Sequence, residues 1–287
     1  MIKRVAILGA GLLGGSVAIS ARENFPDMEV ALWARNPDVA ANAREMGIEL
    51  ASANFAEVVS GADVVILATP VGIMPMLVSE LLEARGDDAF LITDVGSVKR
   101  LPHEKIEPLL TGTKIRFVGS HPMAGSEKKG FAAATMCNDL LKGAACIITS
   151  NELQNLTGQA EIDVQLLEDF WSALGCRVRK LTPEDHDYAV ARISHFPHAM
   201  ASMVAMVGLS FEDISELAGG GLRDTTRVAA GDPELWTEIM LENRDALQRS
   251  ISESMTELAK FQEMLKTNNE AEMLDYLTEA KRRRDLI

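Results

Sequence analysis

The sequence predicts an α/β chain in two parts, a doubly wound and mostly parallel sheet followed by an all-helical domain. Three observations carry this. Short, apolar, β-branched runs recur between helical stretches as far as residue 181. A glycine-rich turn, Gly9-Ala10-Gly11-Leu12-Leu13-Gly14, follows the first of these runs directly. After Thr182-Pro183-Glu184 no further strand candidate occurs.

The strand candidates are residues 5–8, 29–33, 63–67, 90–93, 115–118 and 144–149, with 177–181 as a last one. They are nearly continuous in apolar residues rather than alternating, as expected of parallel strands covered on both faces. Helical segments such as 16–23 and 37–46 lie between them, and 165–174 precedes the last. Strands alternating with helices imply βαβ units. Thr182 and Pro183 have the character of an N-cap and a first helical position, so the boundary falls between a sheet domain, 1–182, and a helical domain, 183–287. In the latter Ile251, Met255, Leu258, Phe261 and Leu265 recur at helical spacing. The helix expected over about 186–207 is apolar nearly all round after Ile193. Such a helix must be enclosed by protein, and in a small helical domain a subunit interface encloses it. The helical part is therefore expected to be a dimerisation domain and the protein a homodimer.

Composition narrows the function. The chain is 47% hydrophobic but only 5% aromatic. A net charge of -14 argues against nucleic acid and anionic membrane surfaces as partners. An anionic small-molecule substrate would then need positive charge gathered in one pocket. The three cysteines, Cys137, Cys146 and Cys176, fit no metal or disulfide spacing, and no metal is expected. The start of the chain runs straight into a strand without a signal-peptide layout. The longest uncharged stretches, 64–78 and 194–211, fall short of a roughly 20-residue membrane span. A cytoplasmic location is expected.

The glycine turn carries a specific physical reading. Gly9 permits the tight turn, Gly11 lets the backbone approach a pyrophosphate, and Gly14 permits close packing of helix on strand. The helix that opens at Leu12 and Leu13 offers free N–H groups and a positive dipole end. Its strand–turn–helix context at the head of a βαβ series gives the motif its weight. A Rossmann-type sheet binding NAD or NADP follows. An acid ending the second strand would accept from the ribose hydroxyls of NAD. Ala34 stands there instead, followed by Arg35, and a guanidinium in place of a carboxylate suits a 2′-phosphate. NADP is the expected preference. Thr69 and Pro70 follow the third strand candidate and Ser97 the fourth, beyond the carboxyl ends where ligands sit.

Oxidation of an alcohol by such a cofactor needs a base for the hydroxyl proton, and histidine suits it. Of His103, His121, His186, His195 and His198, His121 lies just beyond the fifth strand candidate on the cofactor edge and is the expected base. Ser97 is the expected partner of its imidazole, setting the tautomer. His103, in a polar helix, is expected to be solvated. His195 and His198, three apart on one helix face, have no third ligand at suitable spacing and read as pocket-lining or structural. The loop Gly219-Gly220-Gly221 leads to Arg223 and Arg227, whose planar forks suit a carboxylate.

Taken together these pieces resemble the prephenate/arogenate dehydrogenase family of tyrosine biosynthesis. The resemblance lies in Gly9 to Ser16, Asp94-Val95-Gly96-Ser97-Val98-Lys99, His121-Pro122-Met123-Ala124-Gly125-Ser126-Glu127, Ser194-His195-Phe196-Pro197-His198-Ala199, Gly219 to Arg227, and Gly231-Asp232-Pro233-Glu234-Leu235-Trp236, in the family's order. It implies oxidative decarboxylation of a cyclohexadienol, with hydride passing to the nicotinamide. It implies that His121 deprotonates the ring hydroxyl with support from Ser97, that Arg227 holds a substrate carboxylate, and that His198 lines the pocket. Ser126 and Glu127 fall on the substrate side, Glu127 either favouring an ammonium or organising the pocket. Prephenate is the expected substrate, with arogenate the alternative. A β-hydroxyacid dehydrogenase would need a lysine early in the helical domain, where residues 185–208 have none. A non-catalytic dinucleotide sensor would not need His121 and Arg227.

Overall fold

A computed structural model describes residues 2–86, 88–125, 130–136 and 139–287, without the side chains of 154 and 212–214. The first half alternates β1 (Arg4–Leu8), α1 (Leu12–Asn24), β2 (Glu29–Trp33), α2 (Pro37–Glu45), β3 (Leu50–Ser52), α3 (Phe55–Val59), β4 (Val64–Leu67), α4 (Met74–Arg85), β5 (Leu91–Asp94), α5 (Arg100–Leu110) and β6 (Arg116–Phe117). These six strands form one parallel sheet in the order β3-β2-β1-β4-β5-β6, the doubly wound arrangement expected from the sequence. Its strands are mostly apolar because both faces are covered. Val17, Ala18 and Phe170 belong to the core on one face, Leu77, Val78, Leu81 and Ile106 to that on the other.

The chain continues through β7 (Gly119–Pro122), α6 (Phe131–Met136), β8 (Ala145–Thr149), α7 (Gly158–Ala173) and β9 (Arg177–Leu181). These strands do not extend the parallel sheet, as a single doubly wound sheet would require. They form a second sheet, β7-β8-β9, in which β7 runs antiparallel to β8. Sequence reasoning places 119–122 just beyond the fifth strand candidate and not in a strand; the segment holds Gly119 and Pro122 and no β-branched residue. An edge strand tolerates such residues, since a proline there interrupts no inner ladder.

The last helices are α8 (Pro183–Val190), α9 (Phe196–Gly208), α10 (Gly220–Thr226), α11 (Pro233–Glu242), α12 (Arg244–Lys266) and α13 (Glu270–Arg284). Thr182 Oγ1 accepts from Asp185 N at 3.1 Å, the cap expected of it, and Asp232 Oδ1 accepts from Glu234 N at 2.9 Å at the start of α11. The single helix expected over 186–207 is instead interrupted by a π-helical turn, Ala191–His195. Pro197 supplies the reason: it has no N–H to donate into the preceding turn. By packing, the chain divides into a first unit of 1–190 with 230–242, and a second of 191–229 with 243–287. Among the described residues no helix is long and apolar enough to cross a membrane.

Candidate active site

The dinucleotide cradle is built at the carboxyl ends of β1 and β4, where the order of the sheet reverses. Gly9 has φ +124, and a Cβ there would stand 2.3 Å from the Ala68 carbonyl oxygen and 3.1 Å from Thr69 Cγ2. A Cβ on Gly14 would stand 2.0 Å from the Gly9 carbonyl oxygen. At Gly11 a Cβ would meet nothing within 4 Å. Two glycines thus serve close packing, while the middle one faces open space. Gly11 caps α1 without a side chain, and no acid lies in the first turn. The amides of that turn therefore have no acid among them, which fits a pyrophosphate. Thr69 Oγ1 is buried and has no hydrogen-bond partner among the described residues, an orphan that a ligand at the cradle would satisfy. At the end of β2, Ala34 is buried and Arg35 exposed, with no ion pair among the described residues.

From this cradle the structure leads directly to His121. A Cβ on Gly96 would touch Val71 Cγ2 at 2.7 Å, so the loops after β4 and β5 lie against each other. Asp94, at the end of β5, accepts from Gly96 N at 2.9 Å through one oxygen and from Ser120 N at 3.3 Å through the other. Ser120 Oγ lies 2.8 Å from Thr93 Oγ1 and accepts from Trp171 Nε1 at 3.0 Å. β7 is thereby fastened to β5, and His121 is held buried one residue further on.

The Nδ1 of His121 lies 2.8 Å from His186 Nε2, and His186 Nδ1 lies 2.8 Å from Asp187 Oδ1. Asp187 also accepts from Lys99 N at 2.7 Å and Arg100 N at 3.0 Å, at the start of α5. The Lys99 ammonium pairs with Asp94, both side chains fully buried. The position the sequence gives to Ser97 beside the imidazole is filled on the Nδ1 side by His186. Ser97 itself is half-buried and makes no hydrogen bond among the described residues. Burial lowers the pKa of His186, the Lys99 ammonium acts the same way, and Asp187 opposes them. Burial pushes the Asp187 carboxyl up, but the hydrogen bond and charge of His186 and the two α5 amides outweigh it and hold the group below the usual carboxylate range. Glu242, on α11, is pushed up to about 7 by burial first, then by the charges of Glu238 and Asp187.

His103 departs from expectation. It is 2% exposed rather than solvated, with Nδ1 2.6 Å from Glu107 and Nε2 3.0 Å from Thr149 Oγ1. These two partners let α5 turn a polar ring into the protein without leaving it unpaired. His186, Asp187, Lys99 and Asp94 receive no role from the sequence. The adjacent His186-Asp187 pair in the first turns of a helix was the available signal.

Within the second unit, His198 is 5% exposed and burial lowers its pKa. His195 Nδ1 lies 3.2 Å from Asn243 Nδ2. Arg223 and Arg227 are exposed, and their guanidinium groups make no ion pair among the described residues. A Cβ on Gly219, Gly220 or Gly221 would meet nothing within 4 Å, leaving the approach to the arginines open. Ser126, Glu127 and Cys137 lie outside the described residues. Among the described residues no group of three His, Cys, Asp or Glu could hold a metal ion.

Comparisons with known proteins agree with this architecture. Residues 17–180 match the prephenate dehydrogenase nucleotide-binding domain family, and residues 182–279 the prephenate dehydrogenase dimerization domain family. The chain is 31% identical to a prephenate dehydrogenase of Lactococcus lactis over 246 residues, 84% of this chain and 65% of that one. It is 32% identical to a prephenate dehydrogenase of Bacillus subtilis over 286 residues, 98% of this chain and 75% of that one. The crystal structure of prephenate dehydrogenase from A. aeolicus in complex with hydroxyphenyl propionate and NAD+ superposes with a TM-score of 0.88 at 31% identity, covering 99% and 98% of the two chains. That of Synechocystis arogenate dehydrogenase does so with a TM-score of 0.84 at 26% identity, covering 98% and 99%.

Proposed function

The chain belongs to the prephenate dehydrogenase family, and from that membership we propose that it converts prephenate to 4-hydroxyphenylpyruvate in tyrosine biosynthesis, with NADP+ favoured over NAD+. The observation that carries this reading is the position of His121. It is a buried imidazole fastened through Ser120 and Asp94 to the loop beside the dinucleotide cradle. NAD(P)+ bound in the cradle supplies the hydride acceptor.

His121 takes the proton of the ring hydroxyl as hydride leaves the carbon that bears it. Ser97, its hydroxyl uncommitted among the described residues, supports that contact. The bond to the ring carboxylate then breaks, its electron pair completes the aromatic ring, and carbon dioxide departs. Arg227 holds a substrate carboxylate in a charge-assisted fork, and His198 lines the pocket. Ser126 and Glu127 keep the substrate-side assignment that their place in the sequence gives them. The local arginines reconcile a dianionic substrate with a chain of net charge -14. The apolar surface of the second unit supports a homodimer, and the expected location is the cytoplasm.

Arogenate is a second reading, favoured by the likeness to the Synechocystis enzyme. The initial rate of NADP+ reduction by the purified protein tests both, with prephenate and arogenate in parallel and NAD+ as the cofactor control. Faster turnover of prephenate is the expected result. Faster turnover of arogenate moves the assignment to that substrate. No turnover with either, from folded protein that binds NADP+, removes the function.

A further inference from the structure

We propose that His186 and Asp187 are positioning residues that fix the tautomer of His121, so that its Nε2 carries the lone pair that receives the hydroxyl proton. The inference rests on His121 being the base, and it follows from counting protons along a chain of short contacts. Asp187 Oδ1 accepts from Lys99 N at 2.7 Å, and Oδ2 from Arg100 N at 3.0 Å. Both oxygens are thus committed as acceptors. His186 Nδ1, 2.8 Å from Oδ1, must therefore be the donor. A neutral imidazole carries one N–H, so His186 Nε2 can only accept. His121 Nδ1, 2.8 Å away, must then donate, and its remaining lone pair falls on Nε2.

The relay is rigid at both ends. Asp187 is pinned to the first turn of α5 by two backbone amides. His121 is carried on β7, whose Ser120 amide is bound by Asp94, and Asp94 in turn pairs with the Lys99 ammonium. The same buried ion pair therefore anchors both the acceptor end and the catalytic end. When His121 takes up a proton, its Nδ1–H keeps donating to His186, and the positive charge forms in line with the Asp187 carboxylate. The other charges acting on His186 are those of Lys99 and Asp94, which act in opposite directions. The logic is that of an acid orienting a catalytic histidine, with a second imidazole inserted between them.

The test reads the tautomer directly. In ¹⁵N-histidine-labelled full-length protein without substrate at pH 8, His121 and His186 should both show a protonated Nδ1 and an unprotonated Nε2. A proton on Nε2 of His121 overturns the proposal without recourse to any variant. A kinetic arm accompanies it. His186→Phe should lower kcat by about 10- to 100-fold, part of the roughly 10²–10⁴ of general base help, with KM for both ligands within about threefold. His186→Gln offers an amide oxygen as acceptor and should recover most of the loss. A folded His186→Phe protein with parental kcat overturns the positioning role. Unchanged turnover in His121→Ala would instead overturn the base assignment, so the two failures are distinguishable.

Discussion

The proposed preference for NADP+ rests on two neighbouring side chains at the end of β2. Ala34 is 4% exposed and turned inward, with its amide bound to Ser52 O at 3.1 Å. Arg35 is exposed and carries the nearest positive charge in that loop. Asn36, next along, is occupied in capping α2, its Oδ1 accepting from Asp38 N at 2.9 Å. A ribose hydroxyl thus finds no carboxylate where one would accept its hydrogen bond, whereas a 2′-phosphate finds a guanidinium. A charge-assisted hydrogen bond contributes about 1.5–3 kcal/mol, so the preference should be at least about tenfold. Replacing Ala34→Asp together with Arg35→Ile should lower the NADP+/NAD+ ratio of kcat/KM by that factor. An unchanged ratio would place the discrimination elsewhere in the cradle.

The β1–turn–α1 element works because its third glycine allows helix and strand to touch. With 2.0 Å between a Cβ at position 14 and the Gly9 carbonyl oxygen, any side chain there must push α1 off the turn and carry its amides away from the pyrophosphate. Gly14→Val should weaken dinucleotide binding by about tenfold or more, read by fluorescence titration of NADPH, while far-ultraviolet dichroism stays near parental. Parental affinity would show that the turn can relax at no cost. This element was fully legible in the sequence, because its constraint is local: a strand, three glycines at fixed spacing, a helix. Other elements were not. β7 is absent from the strand candidates and forms a strand where β8 offers an antiparallel partner, pairing His121 with Ile147. The π-turn at Ala191–His195 was signalled by Pro197, yet the apolar run around it suggests one continuous helix. In the candidate site, His121 was legible from its place after a strand. The relay behind it was not, since His186 reaches His121 across 65 positions of sequence and Asp187 reaches Lys99 across 88.

For the whole molecule, acidity shapes both stability and assembly. Glu242 titrates near 7 in the folded chain against 4.5 in the unfolded one. Its pKa is raised, so its favourable contribution is present below about 4.5 and is lost as pH rises through about 7, where the half-buried carboxyl must ionise beside Glu238 and Asp187. Glu242→Gln should therefore raise Tm at pH 8 and leave it unchanged at pH 4. The group is only half-buried, and solvent screening reduces the gain to about 1 kcal/mol. A variant with equal effects at both pH values would remove charge as the cause.

Assembly faces the same excess of negative charge. Two protomers of net charge -14 repel, so an association between them has to come from apolar surface. The second unit exposes Met206 at 78%, Val207 at 77%, Phe211 at 68% and Leu217 at 82% of their areas. A run of this kind is unusual on a monomer's surface, and the proposed homodimer would enclose it. Sedimentation of the parent protein should therefore give a dimer at micromolar concentration. Val207→Glu with Phe211→Glu should shift it to monomer by placing like charges at the apolar contact. Because salt screens the repulsion between protomers and leaves apolar burial intact, the parental dimer should tighten between about 0.05 and 0.5 M salt. A dimer that loosens with salt would instead be held by ion pairs, and the helical face would not be what joins the subunits.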